Sequence, residues 1–92
     1  MIQKGSRETL ATVAQLRAAR ALIGWSQSEL ASRAGLSLPT VKRVEGDFGP
    51  HVTDESRAKL KRALQGAGVE FIDENGGGAG VRLKKPSRGS PK

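Results

Sequence analysis

The sequence predicts a mainly α-helical domain of four short helices followed by a C-terminal β-hairpin, and three observations predict it. Thr12, Ser26, Ser37 and Thr53 each stand before a run with apolar residues at helical spacing. Gly24, Gly35 and Gly66 stand where three of those runs stop, and glycine accepts the left-handed backbone that ends a helix. From Val69 the apolar period shortens to about two residues on either side of a glycine-rich segment.

The first helix opens at TVAQ, residues 12 to 15, where Thr12 and Gln15 have capping-box spacing. Leu16, Ala19, Arg20 and Ile23 fall on one of its faces, apolar except for Arg20. The second opens at SQSE, residues 26 to 29, again with capping-box spacing, and turns Leu30, Ala31 and Ala34 inward. Gly35 stops it, Leu36 is the apolar residue of the turn, and Ser37 caps a third helix. Pro39 lies in that helix's first turn, where a missing amide hydrogen costs nothing. Two helices joined by a tight glycine-containing turn within residues 26 to 46 make a helix-turn-helix pattern.

A loop, GDFGPH, leads to a fourth helix from Thr53. Asp54 and Glu55 suit the positive end of its dipole, and Ala58, Leu60, Ala63 and Leu64 carry it to Gly66. Lys59, Lys61 and Arg62 are read as its solvated faces. VEFID and GVRLK, separated by ENGGGAG, read as the strands of a hairpin with Val69, Phe71, Val81 and Leu83 on one side. A lone two-stranded hairpin is marginal in water, so this face must pack on the helices or on a second copy. The glycines precede a strand rather than a helix, which argues against a phosphate-cradling loop.

At 92 residues the chain has room for one small core. The divisions are an N-terminal arm (1–11), the helix-turn-helix domain (12–66), the hairpin extension (67–84) and a basic disordered tail (85–92). No Cys is present, so neither disulfides nor Cys-ligated metal hold the chain together. The N-terminus lacks a signal-peptide apolar run and no stretch is long enough to span a membrane, so a cytoplasmic protein with no membrane partner is expected. The formal charge is +7, but residues 82 to 92 hold five basic groups and no acid, leaving eleven basic and nine acidic groups before them. Such a tail adds affinity for any polyanion without reading a sequence.

On a helical wheel the third helix places Val41, Val44 and Glu45 on one side and Leu38, Pro39, Lys42 and Arg43 on the other. Arg43 suits bidentate bonding to guanine O6 and N7, and Lys42 suits guanine or a phosphate. Leu38 and Pro39 offer apolar contact, for which a thymine methyl is the natural partner. Ser37 and Thr40 flank this face and can bond phosphates or base edges. The plainer reading makes Lys42 and Arg43 ordinary solvated charges. His51, the only histidine, and Asp73 and Glu74 beside the glycine turn form no catalytic or metal-binding set, so no enzyme, metal or cofactor is expected. Trp25 reads as a helix-junction residue.

The runs L-R-x-x-R at 16 to 20, W-S-Q-x-E-L-A at 25 to 31, A-G-L-S at 34 to 37 and T-V-x-R-V-E at 40 to 45 together resemble the lambdoid-repressor-like helix-turn-helix proteins, the XRE family. The resemblance covers residues 12 to 65 and implies a repressor-like fold that binds DNA. It implies a phosphate contact for Gln27 and places Ser37, Leu38, Pro39 and Arg43 against bases or the adjoining backbone. It also implies an inward ion pair between Arg20 and Glu45, which accounts for the charge on the apolar face of the first helix. The sequence departs from the family at Leu38 and Pro39, where some relatives carry amide side chains, and in its hairpin.

The function expected is that of a bacterial, sequence-specific double-stranded DNA-binding transcriptional regulator, a repressor in its simplest form. One module reads too few bases to be unique among roughly 10⁶ competing sites. A homodimer on half-sites about 34 Å apart is the usual remedy, and the 69–83 hairpin either joins its two copies or extends the core of each. The alternative is an antitoxin or antiactivator that binds a protein partner through the hairpin, by way of Phe71, Val81 and Leu83.

Overall fold

Thr12 and Gln15 close on each other as their spacing predicts. In the computed structural model, which describes residues 10–46 and 53–84, Thr12 Oγ1 accepts the Gln15 N–H at 3.0 Å and Gln15 Oε1 accepts the Thr12 N–H at 2.9 Å. This box opens α1 (Val13–Ile23), which stops at Gly24 with φ 73°. Ser26 Oγ accepts the Glu29 N–H and opens α2 (Gln27–Ala34). Only that half of the second capping box forms, because Arg33, one turn on, takes the Glu29 carboxylate at 2.6 Å. Gly35, with φ 71°, ends α2. Ser37 Oγ then accepts the Thr40 N–H at 3.2 Å at the head of α3 (Leu38–Gly46). Thr53 caps α4 (Asp54–Gly66) through the Ser56 N–H. The arm through residue 9, the loop with His51 and the tail from residue 85 lie outside the described residues.

The described residues are mainly α-helical, four helices and a two-stranded antiparallel hairpin around one core. Leu16, Leu30, Val41, Leu60, Leu64 and Val69 have no exposed surface, so every helix and the first strand contribute to it. Burial of each such side chain contributes about 1.5–3 kcal/mol. Among the described residues no helix is long and apolar enough to cross a membrane.

The hairpin pairs β1 (Val69–Ile72) with β2 (Gly80–Leu83) in the register Val69 to Leu83 and Phe71 to Val81. It packs on its own helices, β1 chiefly on α4 and β2 on α1. Gln15 is the fastening: besides completing the cap of α1, its Nε2 donates to the carbonyls of Ile72 at 3.2 Å and Gly80 at 2.9 Å. One buried amide therefore joins the first turn of α1 to the turn end of the hairpin. On the outer face Arg82 bonds Glu70 across the strands at 3.0 Å, and that bond with its charge holds the Glu70 carboxyl below the usual carboxylate range.

Besides Glu29, three positions differ from the sequence expectation, and the first is Gly66, which has no positive φ and is the last residue of α4, with Ala67 as its cap. Lys61 is not solvated but 7% exposed, with its ammonium 5.7 Å from the centre of the Phe71 ring. The hairpin covers that flank of α4, so the Lys61 stem is buried and its charge rests on an aromatic face. Lys59 instead pairs with Glu55 at 3.6 Å. Leu83 shares a face with Val69, Phe71 and Val81 yet is 53% exposed, because Val69 fills the core at that end and leaves its partner on the outer strand beyond it.

Gln15→Ala removes a reciprocal cap, worth about 1 kcal/mol, and strips two strand-end carbonyls of a buried donor. The expected result is a stability loss of about 2–3 kcal/mol in urea unfolding, with faster hydrogen exchange in the hairpin than in α3. An unchanged midpoint would show that the amide is not the fastening.

Candidate nucleic-acid interface

The orientation of α3 follows from what it buries. Val41 and Val44 are 0% and 1% exposed and Glu45 is 6% exposed, which fixes the opposite side outward. Pro39, Lys42 and Arg43 are exposed there, with Leu38 and Thr40 half-buried at the flanks and Ser37 exposed at the head of the helix. All six residues expected on α3 and its cap thus share one continuous surface. Lys42 and Arg43 have no hydrogen-bond or ion-pair partner among the described residues. Ser37 Oγ and Thr40 Oγ1 lie 2.8 Å apart and bond each other, leaving one O–H of the pair to donate to an outside acceptor. Chemically the surface offers two cationic donors, a hydroxyl and an apolar first turn.

Arg20 and Glu45 hold this surface in place. Arg20 Nε donates to Glu45 Oε2 at 2.7 Å and Nη2 donates to Oε1 at 2.9 Å, a bidentate pair between α1 and α3. The third guanidinium nitrogen, Nη1, donates to the Trp25 carbonyl at 2.9 Å and ties in the α1–α2 junction. Trp25 is half-buried against the core, with the Arg33 guanidinium 5.1 Å from its ring centre. The Glu45 side chain keeps only 4% of its surface exposed against 24% for Arg20, so the carboxylate is the member that depends on its partner.

Gln27 belongs to the same network. Its Nε2 donates to Glu45 Oε1 at 2.9 Å, so the first residue of α2 is held by a side chain of α3. An amide nitrogen carries two hydrogens, and one remains to donate outward. No spacing signal announces this bond, since the two residues are 18 positions apart and meet only through the packing of α2 on α3. Among the described residues no three His, Cys, Asp or Glu side chains gather in a way that would hold a metal ion.

Glu45→Ala strands Arg20 against the core and frees Gln27, and is expected to lower stability by about 3 kcal/mol, a fall of more than ~10 °C in the melting midpoint. Glu45→Gln retains hydrogen-bonding capacity and loses less. An equal loss in both variants would assign the effect to charge alone. No protein-family model matches the chain, and a search of curated proteins finds no match to it.

Proposed function

We propose that the chain is a sequence-specific double-stranded DNA-binding transcriptional regulator, a repressor of the XRE kind acting in the bacterial cytoplasm. The observation that carries the reading is the pairing of Lys42 and Arg43, exposed and without partners among the described residues, on a helix whose other face is locked by two buried valines and a bidentate ion pair. A rigid helix with unengaged cationic donors suits major-groove readout, where side-chain reach has to be reproducible. In this role Arg43 bonds guanine, Lys42 bonds guanine or a phosphate, and Leu38 and Pro39 meet a thymine methyl. Gln27 donates its second N–H to a phosphate while Glu45 holds the first, and the Ser37–Thr40 hydroxyl pair serves the adjoining backbone. The reading assigns no catalytic residue, metal or cofactor.

The competing reading, an antitoxin-like protein binder, rested on Phe71, Val81 and Leu83. Of these Phe71 and Val81 are half-buried against the chain's own core, and only Leu83 is exposed. That leaves little of the hairpin's apolar face for a foreign protein.

The test is selection of the full chain on randomised duplex DNA at physiological salt, followed by binding of the enriched sequence. Arg43→Ala is expected to weaken binding to the selected site by about 1–3 kcal/mol and to relax the preference at a single guanine position. Failure of the folded wild-type protein to enrich any sequence, or an Arg43→Ala protein with an unchanged preference, would remove α3 as the reader.

A further inference from the structure

The protein has a single asparagine, and a glycine follows it. Asn75 and Gly76 lie in the segment 73–79 that joins β1 to β2, and every residue of that segment is exposed. The pair serves the turn, since Gly76 has φ 106°, a backbone that favours glycine. It also serves a reaction. When the main-chain nitrogen of the next residue reaches the asparagine Cγ a five-membered ring closes, and a side chain on that next residue is the usual obstacle.

Three features of the folded turn permit the closure. Approach is open, because Gly76 carries no side chain and the space where a Cβ would stand has no neighbouring atom within 4 Å. The nucleophile is open, because the Gly76 N–H bonds no acceptor among the described residues and can yield its proton to water. The electrophile is open as well. Turn asparagines often tie their side chain to the backbone two residues on, but the Asn75 carboxamide makes no such bond among the described residues. The single bond Asn75 makes is from its main-chain N–H to the Gly77 carbonyl at 3.3 Å, longer than the usual N–H to oxygen bond.

The frame around the turn is fixed elsewhere, so the product is tolerated. Gln15 Nε2 holds the carbonyls of Ile72 and Gly80, which pair across the strands at the two ends of the segment. A change of backbone length at position 75 is absorbed among exposed Gly76, Gly77 and Gly78 without moving the strands. The new charge is accommodated too. The first turn of α1 has no acidic residue, and Asp73 and Glu74 share a surface cleft with Thr12 and Gln15 at that end of the helix. The helix dipole favours negative charge there, and water screens the repulsion among exposed carboxylates.

We propose that Asn75 is a site of spontaneous deamidation, at which the Gly76 nitrogen displaces the side-chain amide and the hairpin turn of the folded protein gains a carboxylate. The Gly76 nitrogen gives up its proton and bonds Asn75 Cγ, the bond from Cγ to the side-chain nitrogen breaks, and that nitrogen leaves with a proton as ammonia. The succinimide so formed takes up water at one of its two carbonyls. Opening at Cγ leaves an ordinary aspartate at position 75, and opening at the main-chain carbonyl leaves an isoaspartate whose backbone runs through Cβ and Cγ. The sum is amide plus water giving carboxylate and ammonium, with nothing oxidised or reduced. Older copies of the protein are thereby more acidic at this turn, with the core and the α3 surface unchanged. The inference is independent of the DNA-binding reading.

The test is incubation of the full folded chain at neutral and at mildly alkaline pH, followed by ion exchange, peptide mass mapping and labelling with an isoaspartyl methyltransferase. One equivalent of ammonia and one added negative charge per chain are expected, faster at the higher pH, with isoaspartate mapped to position 75. The melting midpoint and helical circular dichroism are expected to stay as they were. Asn75→Gln, which would have to close a six-membered ring, is expected to lose the conversion while folding as the wild type does. A folded wild type that keeps its amide while the same chain unfolded in guanidinium chloride converts would overturn the proposal, because the turn would then protect Asn75. Conversion to aspartate without isoaspartate, or at an equal rate in Asn75→Gln, would overturn it as well, since neither passes through the ring.

Discussion

The Arg20–Glu45 pair is the constraint on which the helical arrangement turns. One carboxylate with 4% of its side-chain surface exposed receives a guanidinium from α1 and an amide from α2 while sitting on α3 itself. Apolar packing around Leu16, Leu30 and Val41 brings the three helices together but is indifferent to small rotations about a helix axis. The directional bonds at Glu45 are not. They set which residues of α3 face outward, and they place Gln27 beside that surface. Because burial of an ion pair contributes little net stability over an apolar substitute, its worth here is specificity of arrangement, a role that suits a helix proposed to meet base edges at defined positions.

What was legible in the sequence was local. Thr12, Ser26, Ser37 and Thr53 each bond the backbone three residues on, so their signals are complete within one turn and the starts of all four helices follow from them, while Gly24 and Gly35 mark the ends of α1 and α2. Alternation placed the two strands within one residue of where they lie. The outward set on α3 was likewise readable, because Val41 and Val44 define the buried side without outside information. The Arg20–Glu45 pair was legible only by resemblance, since nothing in a helical wheel names the partner of a charge on an apolar face.

What was not legible was tertiary. The burial of Lys61 depends on the hairpin lying across α4, and the exposure of Leu83 depends on which strand of the pair sits over the core. Gln15 was read as a cap, which it is, but its amide nitrogen finds its acceptors 57 and 65 residues away. Glu29 shows the reverse case, in which a correct spacing loses to a better local partner, the Arg33 guanidinium on the next turn. In each instance side-chain reach exceeds what periodicity along one element can register.

The Gln15 fastening has a consequence for how the protein is made. Its acceptors, Ile72 and Gly80, are made well after α1, the first of the described helices. Contacts of such long sequence separation form late, because loop closure is costly until other packing has brought the ends near. The nascent helices can cap and collapse locally, but the head of α1 is sealed only when the hairpin arrives. The step that locks the fold therefore waits for β2, and a chain released short of it would present an unfastened α1.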